Sequence, residues 1–576
     1  MKKSISIMAV IMIMALIMCS CANVSGVSSS EEAEVISYTS SQEGTSQVSE
    51  IMDLSAYDLS LSDRDLETET DVSGATVIEI SDDSVNIDGS GATYKGNILY
   101  ISSAGIYSIY GSSDNISIYI KAGDDDKVQL VLNGVNLKSS NGPVIASVSA
   151  DKVFITLAEG TVNYLEDSAS YSGLSDDGFD AAVFCRTDLT VNGTGTLYVT
   201  GNYKHGIVCK DDLVLTNVKL TISSIKTGIT GKDSVKIKNA VITIYAGTDG
   251  IRSDNDEEDH KGYIMIEGAS VSIEPQDDGI QAEDLIMINS SDITIKGGSS
   301  SDKGIKSEAS IIIYSGDVSI DTEDDAINAT ESVQIFGGKT TLSTKDDGIH
   351  ADGSLIITGG TVIVEDSYEG LEAETISIYG GEISVYAEDD GINACGGNDG
   401  SGTGNMFMDS FQNTTGSITI AGGTVYVNAK GDGIDSNGSI YISGGTITVD
   451  GPANNGNGAL DYNTTATITG GTFIATGSSG MVQSMSSAEN QGVILCTFDG
   501  LSAGTTIILQ DGKGNIVAEV TPTKTYSSIV ISSPEITEGN TYVLKTGDTV
   551  LSTIIMTSLL YGSGSMNMGG GFNHHP

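Results

Sequence analysis

Apolar and polar residues alternate along most of this chain in short runs, and alternation of this kind is the signature of half-buried strands. Runs such as Leu355-Ile356-Ile357 and Val362-Ile363-Val364 are separated by the pair Gly359-Gly360. The same pair returns at Gly337-Gly338, Gly380-Gly381, Gly422-Gly423, Gly444-Gly445 and Gly470-Gly471. A second marker is a turn of the form D-G-I, with its Gly at Gly228, Gly250, Gly279, Gly304, Gly348, Gly370, Gly391 and Gly433, and with Ala326 taking the Gly place once. Most steps between these turns are 21, 22, 25 or 29 residues, and the step from Gly391 to Gly433 is 42, two repeats' worth. Short strands split by Gly turns, in a repeat too small to include a helix, predict an all-β solenoid of stacked parallel strands. Leucine-rich repeats have a similar period but need Leu and Asn ladders, which are missing, and propeller blades need roughly 40 residues or more.

The pleat then fixes direction, because successive side chains on a strand point to opposite faces. After each turn Gly the first and third residues are apolar or small, as in Ile280 and Ala282, Ile349 and Ala351, Leu371 and Ala373, Ile392 and Ala394, Ile434 and Ser436. These are expected inside. The second and fourth are polar, as in Gln281 and Glu283, His350 and Asp352, Glu372 and Glu374, and are expected to face out. Cys209 takes the third, inward position, and the run Phe184 to Leu189 aligns with Val208 to Leu213 one coil on, which stacks Cys185 beside Cys209. At a strand spacing of about 4.8 Å the pair either bridges or stays as buried thiols in a place that wants a small residue. Asp254 to His260 and Gly396 to Thr415 interrupt the repeat as insertions, which in solenoids tend to mark one working face.

The pattern divides the chain into a solenoid over residues 71–489 and a small antiparallel unit over 490–561, with strand runs Thr506-Ile507-Ile508-Leu509 and Ile529-Val530-Ile531. That unit is expected to cap the open end, which would otherwise template aggregation. Residues 562–576 are rich in Gly and Met and read as a loose tail. At the other end, Lys2 and Lys3 precede the apolar run Ile5 to Met18, an export signal over residues 1–20 that is too short to span a bilayer comfortably. Met18-Cys19-Ser20-Cys21 resembles a bacterial lipobox, in which Cys21 becomes the lipid-bearing mature terminus. Residues 21–70 are rich in Ser, Glu and Thr and are expected to form a flexible acidic tether. The expected location is the outer face of a bacterial cell membrane, with the lipid as the sole membrane contact.

Charge narrows the partners. The net charge is −50 with only three Arg, which argues against nucleic acid or anionic lipid as a direct partner and leaves metal cations as the natural counter-charge. Gly numbers 71, Pro 6 and Trp 0, with 39% hydrophobic residues, as expected of a folded, turn-rich protein; a monomer is expected.

The acids are not scattered. The residue before the turn Gly or Ala is Asp249, Asp278, Asp325, Asp347, Glu369, Asp390 or Asp432, and one residue earlier stand Asp277, Asp324, Asp346 and Asp389. Equivalent positions on stacked coils lie about 4.8 Å apart, where two carboxylates repel by roughly 3 kcal/mol at an effective dielectric of about 20. Ca²⁺ relieves this, since it accepts six to eight oxygens in flexible geometry, including carboxylates from different coils. The bland alternative is a solvated acidic ridge relaxed by water and salt. Zn²⁺ is disfavoured by the scarcity of His and available Cys.

Lys303 interrupts the acidic column, Lys306 stands beside it, and Arg252 holds the matching outward position of an earlier coil. Such cations would serve a polysaccharide lyase beside a uronate carboxylate, or simply relieve charge in the ladder. Tyr314 and Phe336 lie 22 residues apart with Tyr379 in the same column two coils later, and Tyr386 and Tyr426 face out on the next strand. These rings either carry sugar along the sheet or are ordinary strand residues.

Longer motifs add a family. Val128 to Val135 (VQLVLNGV), Asn163 to Asp167 (NYLED), Lys210 to Leu213 (KDDL), Thr227 to Asp233 (TGITGKD) and Asp249 to Asn255 (DGIRSDN) resemble the carbohydrate-binding β-helix family typified by a clostridial surface protein that binds cellulose and pectin. The likeness runs from residue 72 through the C-terminal cap. It implies a right-handed parallel β-helix of pectate-lyase-like architecture, bound calcium, and affinity for cellulose or acidic polysaccharide without established cleavage. The lack of Trp fits crystalline cellulose poorly. The resulting expectation is a non-catalytic, calcium-dependent polysaccharide-binding surface lipoprotein, because a repetitive acidic face offers many weak contacts but no concentrated acid–base constellation. A polysaccharide lyase using Lys303, Lys306 and Arg252, and a surface adhesin for protein partners, are the alternatives.

Overall fold

A computed structural model of the chain describes residues 52–82, 84–172, 178–298, 302–395 and 415–562. The export signal, Cys21, nearly all of the insertion at 396–415 and residues 563–576 of the tail lie outside the described residues.

The repeat builds a parallel β-helix of three long sheets. The first collects the strand after each D-G-I turn, such as Ile280–Ala282, Ile305–Ser307, Ile327–Ala329 and Ile392–Ala394. The second collects strands such as Leu285–Asn289, Ser310–Ile313 and Ser332–Ile335, and the third follows the Gly-Gly pairs, as in Lys339–Ser343 and Thr361–Asp366. Register is kept from coil to coil: Ile280, Ile305, Ile327, Ile349, Leu371, Ile392 and Ile434 stack one upon the next. All of these are 0% exposed, so each contributes roughly 1.5–3 kcal/mol of transfer free energy to a continuous core.

Glycine is required for two separate reasons. The second residue of each Gly-Gly pair has positive φ, from +79° at Gly338 to +95° at Gly381, which a side chain would strain. At the D-G-I turn the constraint is space instead, since a Cβ on Gly370 would lie 2.3 Å from the carbonyl oxygen of Gly391 and 2.1 Å from Val385 Cγ1.

Cys185 and Cys209 are register partners, both buried and both free thiols, and Cys209 Sγ lies 3.2 and 3.3 Å from the carbonyls of Thr187 and Asp212, either of which can accept its one proton.

Both ends of the solenoid are closed by a reversal of strand direction. At the start, Thr76–Ile80 pairs antiparallel with Val85–Asp88, and Ala92–Lys95 with Ile98–Ile101. At the finish, Tyr526–Ser533 runs antiparallel to the last third-sheet strand, Thr472–Gly477, and also pairs with Gly492–Leu501. Beyond it a separate four-stranded antiparallel sheet encloses its own small core around Leu509, Tyr542, Leu544 and Ile554.

Two expectations need correction. Residues 55–66, assigned on composition to the tether, lie as a strap across the outer face of the second sheet. Arg64 Nη2 donates to Gln129 Oε1 at 2.7 Å, Asp65 accepts from Lys152 at 2.8 Å and from Thr190 at 2.5 Å, and Tyr57 donates to Asp284 at 2.9 Å. The strap is held by polar contacts and a few rings, which a count of apolar residues does not register. Secondly, His350 and Glu372 do point away from the core, yet they are only 5% and 2% exposed because neighbouring rungs close over them.

The turn spacing yields a direct check. Gly370→Ala should lower the midpoint of thermal unfolding by the equivalent of about 1–3 kcal/mol, whereas Gly500→Ala, with nothing within 4 Å of the added methyl, should change it little. Equal melting temperatures for the two variants would contradict the close stacking of the turns.

Candidate metal centre

The acidic column of the sequence is a physical column. It runs along the corner between the third and first sheets, and the N–H of each turn Gly or Ala reaches the carbonyl of the acidic position on the next rung. Gly250 to Asp278, Gly304 to Asp325, Ala326 to Asp347, Gly348 to Glu369, Gly370 to Asp390 and Gly391 to Asp432 are all 2.9 to 3.0 Å. A second column stands beside it, formed by the outward residue two places after the turn Gly. Arg252, Gln281, Lys306, Asn328, His350, Glu372, Asn393, Asp435 and Asp461 follow one another there in register.

Over the earlier rungs the protein supplies its own cations. Arg252 lies 3.6 Å from both Asp249 and Asp254. Lys303 Nζ sits 2.9 Å from Asp324 and 3.0 Å from Asp325, within the cluster formed by Asp324, Asp325 and Asp346. Lys306 pairs with Glu308 at 3.0 Å. His350 Nδ1 is 3.0 Å from Asp347 and 3.1 Å from Glu372, while Nε2 is 3.0 Å from Asp352. Burial alone would lower the His350 pKa, but these carboxylates outweigh it and hold the ring cationic, pushed up to about 11. Asp277, Asp278 and Asp302 form a further cluster in which Asp302 is pushed up to about 7, chiefly by its hydrogen bond with Asp324.

The later rungs lack such compensation. Among the described residues no Lys, Arg or His pairs with Glu369, Asp390, Asp432, Asp435 or Asp461. Carboxylate oxygens of Asp390, Asp432 and Asp435 come within 4.8 Å of one another. Burial, with the charges of Asp432, Glu369 and Asp435, pushes Asp390 up to about 9, and burial with Asp432 and Asp461 pushes Asp435 up to about 7. Asn393, 7% exposed, donates to Glu369 at 2.8 Å and leaves its own Oδ1 buried without a partner. Its register neighbour on the next rung is Asp435. Three carboxylates and an unpaired amide oxygen are an all-oxygen donor set of the kind a hard divalent cation takes.

Of the acids read from the sequence, Asp390 and Asp432 meet in this pocket; Asp249, Asp324, Asp325 and Asp347 are engaged by internal cations; Asp277, Asp278 and Asp346 belong to the clusters above; and Asp389 lies against the Tyr368 hydroxyl. Sequence reasoning missed Asp435, Asn393, His350 and Glu372. Each occupies the second position after a turn Gly, and reading that position down the repeat as a column of its own would have found them.

The rings are arranged differently from a flat platform. Tyr314 and Phe336 stack face to face at 5.2 Å with 13° between planes, so they turn edges rather than faces to solvent. Tyr379 continues that column beyond an intervening Thr358. Tyr386 and Tyr426 meet edge to face at 5.8 Å, and Tyr386 is 43% exposed. Tyr164 and Tyr198, not singled out in the sequence, form another exposed stack at 5.0 Å.

Comparison with known proteins adds three findings. A family model described as carbohydrate-binding domain-containing protein matches residues 95–348 and again 343–571. A curated protein of the same description from Acetivibrio thermocellus is 33% identical over 150 residues, which are 26% of this chain and 52% of that protein, so the match spans about half the relative's length. A solved structure described as the polysaccharide lyase-like protein from C. thermocellum, gadolinium derivative, aligns at 32% identity over 42% of this chain and 96% of its own, with a TM-score of 0.40.

The uncompensated pocket leads to a prediction for how stability should respond to pH and metal. With metal chelated, the fold favours protonated Asp390, whose pKa is raised from 3.8 to about 9. The stability this contributes is fully present below about pH 4 and is lost as pH rises through about 9. The melting temperature of the chelated protein should therefore fall between about pH 5 and 9, and Asp390→Asn should flatten that fall. Calcium at a hundredfold excess over its dissociation constant should restore about 2.7 kcal/mol at pH 8. A melting temperature indifferent to both pH and calcium would refute the pocket.

Proposed function

The chain belongs to the carbohydrate-binding domain-containing protein family, and from that membership we propose that it is a calcium-dependent polysaccharide-binding lipoprotein of the cell surface that holds its glycan without cutting it. The observation that carries the calcium part is the pocket of Asp390, Asp432 and Asp435 beside the unpaired Asn393 Oδ1. Calcium, when bound there, supplies positive charge that a uronate carboxylate can share. The protein's own part is to hold the carboxylates in fixed register, so that the cation is gripped by rigid strands rather than by loops. The favoured ligands are cellulose or acidic, uronate-rich polysaccharide, bound along the long axis through many weak contacts. Exposed rings such as Tyr386 can add apolar contact with sugar. The surface location rests on the export signal and Cys21 of the sequence.

The cations that a lyase would use argue for binding over cleavage. A lysine must be deprotonated and neutral to serve as a general base, and two aspartates keep Lys303 protonated, its pKa raised well above the ordinary range. Lys306 and Arg252 are likewise engaged by carboxylates.

A glycan array run with and without EDTA tests the proposal. Retention on polygalacturonate or cellulose that chelation weakens at least tenfold is expected, with no unsaturated, ultraviolet-absorbing product after prolonged incubation. Accumulation of such product would make the protein a lyase, and silence across the whole array would favour an adhesin.

A further inference from the structure

The first sheet reverses its charge along its length. On one edge, the position two before the turn Gly is Lys204 and then Lys226 on the earlier rungs, and Asp277, Asp324 and Asp346 on later ones. On the other edge, the fourth position after the turn is Arg186, Lys210 and Lys232, then Asp254, Glu283 and Glu308. Residues 203–240 carry Lys at seven positions against Asp at three, a local charge of +4 in a chain of −50.

The fold gathers these cations tightly. Lys226 donates its backbone N–H to the Lys204 carbonyl at 2.7 Å, and Lys210 and Lys232 follow Arg186 on the other edge through bonds to Cys185 and Cys209 at 2.8 and 3.0 Å. Burial chiefly lowers the His205 pKa; Asp180 opposes it, and Lys210, Lys204 and Lys226, all near the ring, lower it further. The ring's Nδ1 is buried with no hydrogen-bond partner, and so is the nearby Asp180 Oδ1. Lys210 reaches Asp180 only at 4.0 Å, and among the described residues neither Lys204 nor Lys226 has an acidic partner. Like charges left together on rigid rungs repel, as the acids do farther along, and an anion is the missing counterpart. Tyr171 and Tyr203, stacked at 4.2 Å beside Lys204, add an aromatic wall. Rungs about 4.8 Å apart repeat on the length scale of a sugar residue, so a polyuronate lying along the axis can bring some of its carboxylates within reach of lysines on neighbouring rungs.

We propose that Lys204, Lys226 and Lys210, grouped around His205, form a metal-independent subsite for the carboxylates of an anionic polysaccharide. The subsite rests on the polysaccharide reading and deepens it, giving the sheet one zone that binds uronate directly and another that needs a cation. The nearest acid of the column, Asp249, stands one rung beyond Lys226 but is paired with Arg252, and the next, Asp277 and Asp278, lie two rungs away, roughly 10 Å, about one Debye length at physiological salt, where their repulsion is partly screened.

Calorimetric titration of the full chain with oligogalacturonate in EDTA tests this, with a neutral cello-oligosaccharide in parallel. Polyuronate binding should persist in EDTA, weaken with added salt, and fall at least tenfold in Lys204→Ala/Lys226→Ala with unchanged melting temperature. Lys204→Arg/Lys226→Arg should retain it, and Lys513→Ala in the distant cap should have no effect. Equal affinity of the alanine variant and the unaltered chain overturns the subsite. Binding that occurs only with calcium overturns the subsite while leaving the calcium reading intact, and absence of any polysaccharide binding in either condition overturns both.

Discussion

Stacking parallel strands in register makes each residue meet its counterpart one rung away, and everything else in this molecule follows from that constraint. For Ile280, Ile305 and Ile327 the rule is favourable, since like meets like in a dry core. For the turn glycines it is steric, because each must leave room for the next carbonyl. For Asp347, Glu369, Asp390 and Asp432 it is electrostatic and unfavourable, and it concentrates repulsion at one corner.

The chain answers that repulsion in more than one way along the same corner. Arg252, Lys303 and His350 place cations inside the protein where the ladder is most crowded in its middle rungs. Past His350 this internal relief ceases among the described residues, and Asp390, Asp432 and Asp435 face one another with no internal cation between them. Before Arg252 the sign is reversed, with lysines meeting lysines. A single repetitive scaffold thus presents graded chemistry to a long ligand, with each zone set by which residue is repeated there.

Much of the architecture was legible because its determinants are local and recurrent. The D-G-I turn or a close variant marks most coils at the place where only a minimal side chain fits, and Ile280, Ile349 and Leu371 follow it on the inward face. What alternation could not reveal was depth. It put His350 and Glu372 on the correct side of the sheet, but their burial arises from neighbouring rungs closing over them, which has no signature in a single repeat. For the same reason Asp390 and Asp432 were legible as members of an acidic cluster while Asp435 was not. The strap was missed because Arg64, Asp65 and Tyr57 are bound by partners 65, 87 and 227 positions away in the chain, and a polar, Ser-rich segment reads as a linker until its partners are in view.

The strap also bears on mechanics. A pull on the chain upstream of it would not unzip the first coil, because the load enters through contacts at Gln129, Lys152, Thr190 and Asp284, well inside the solenoid. Tyr57 is the first of these contacts that such a load would meet, so the terminal rungs would be reached only after the strap had been stripped from the middle of the solenoid.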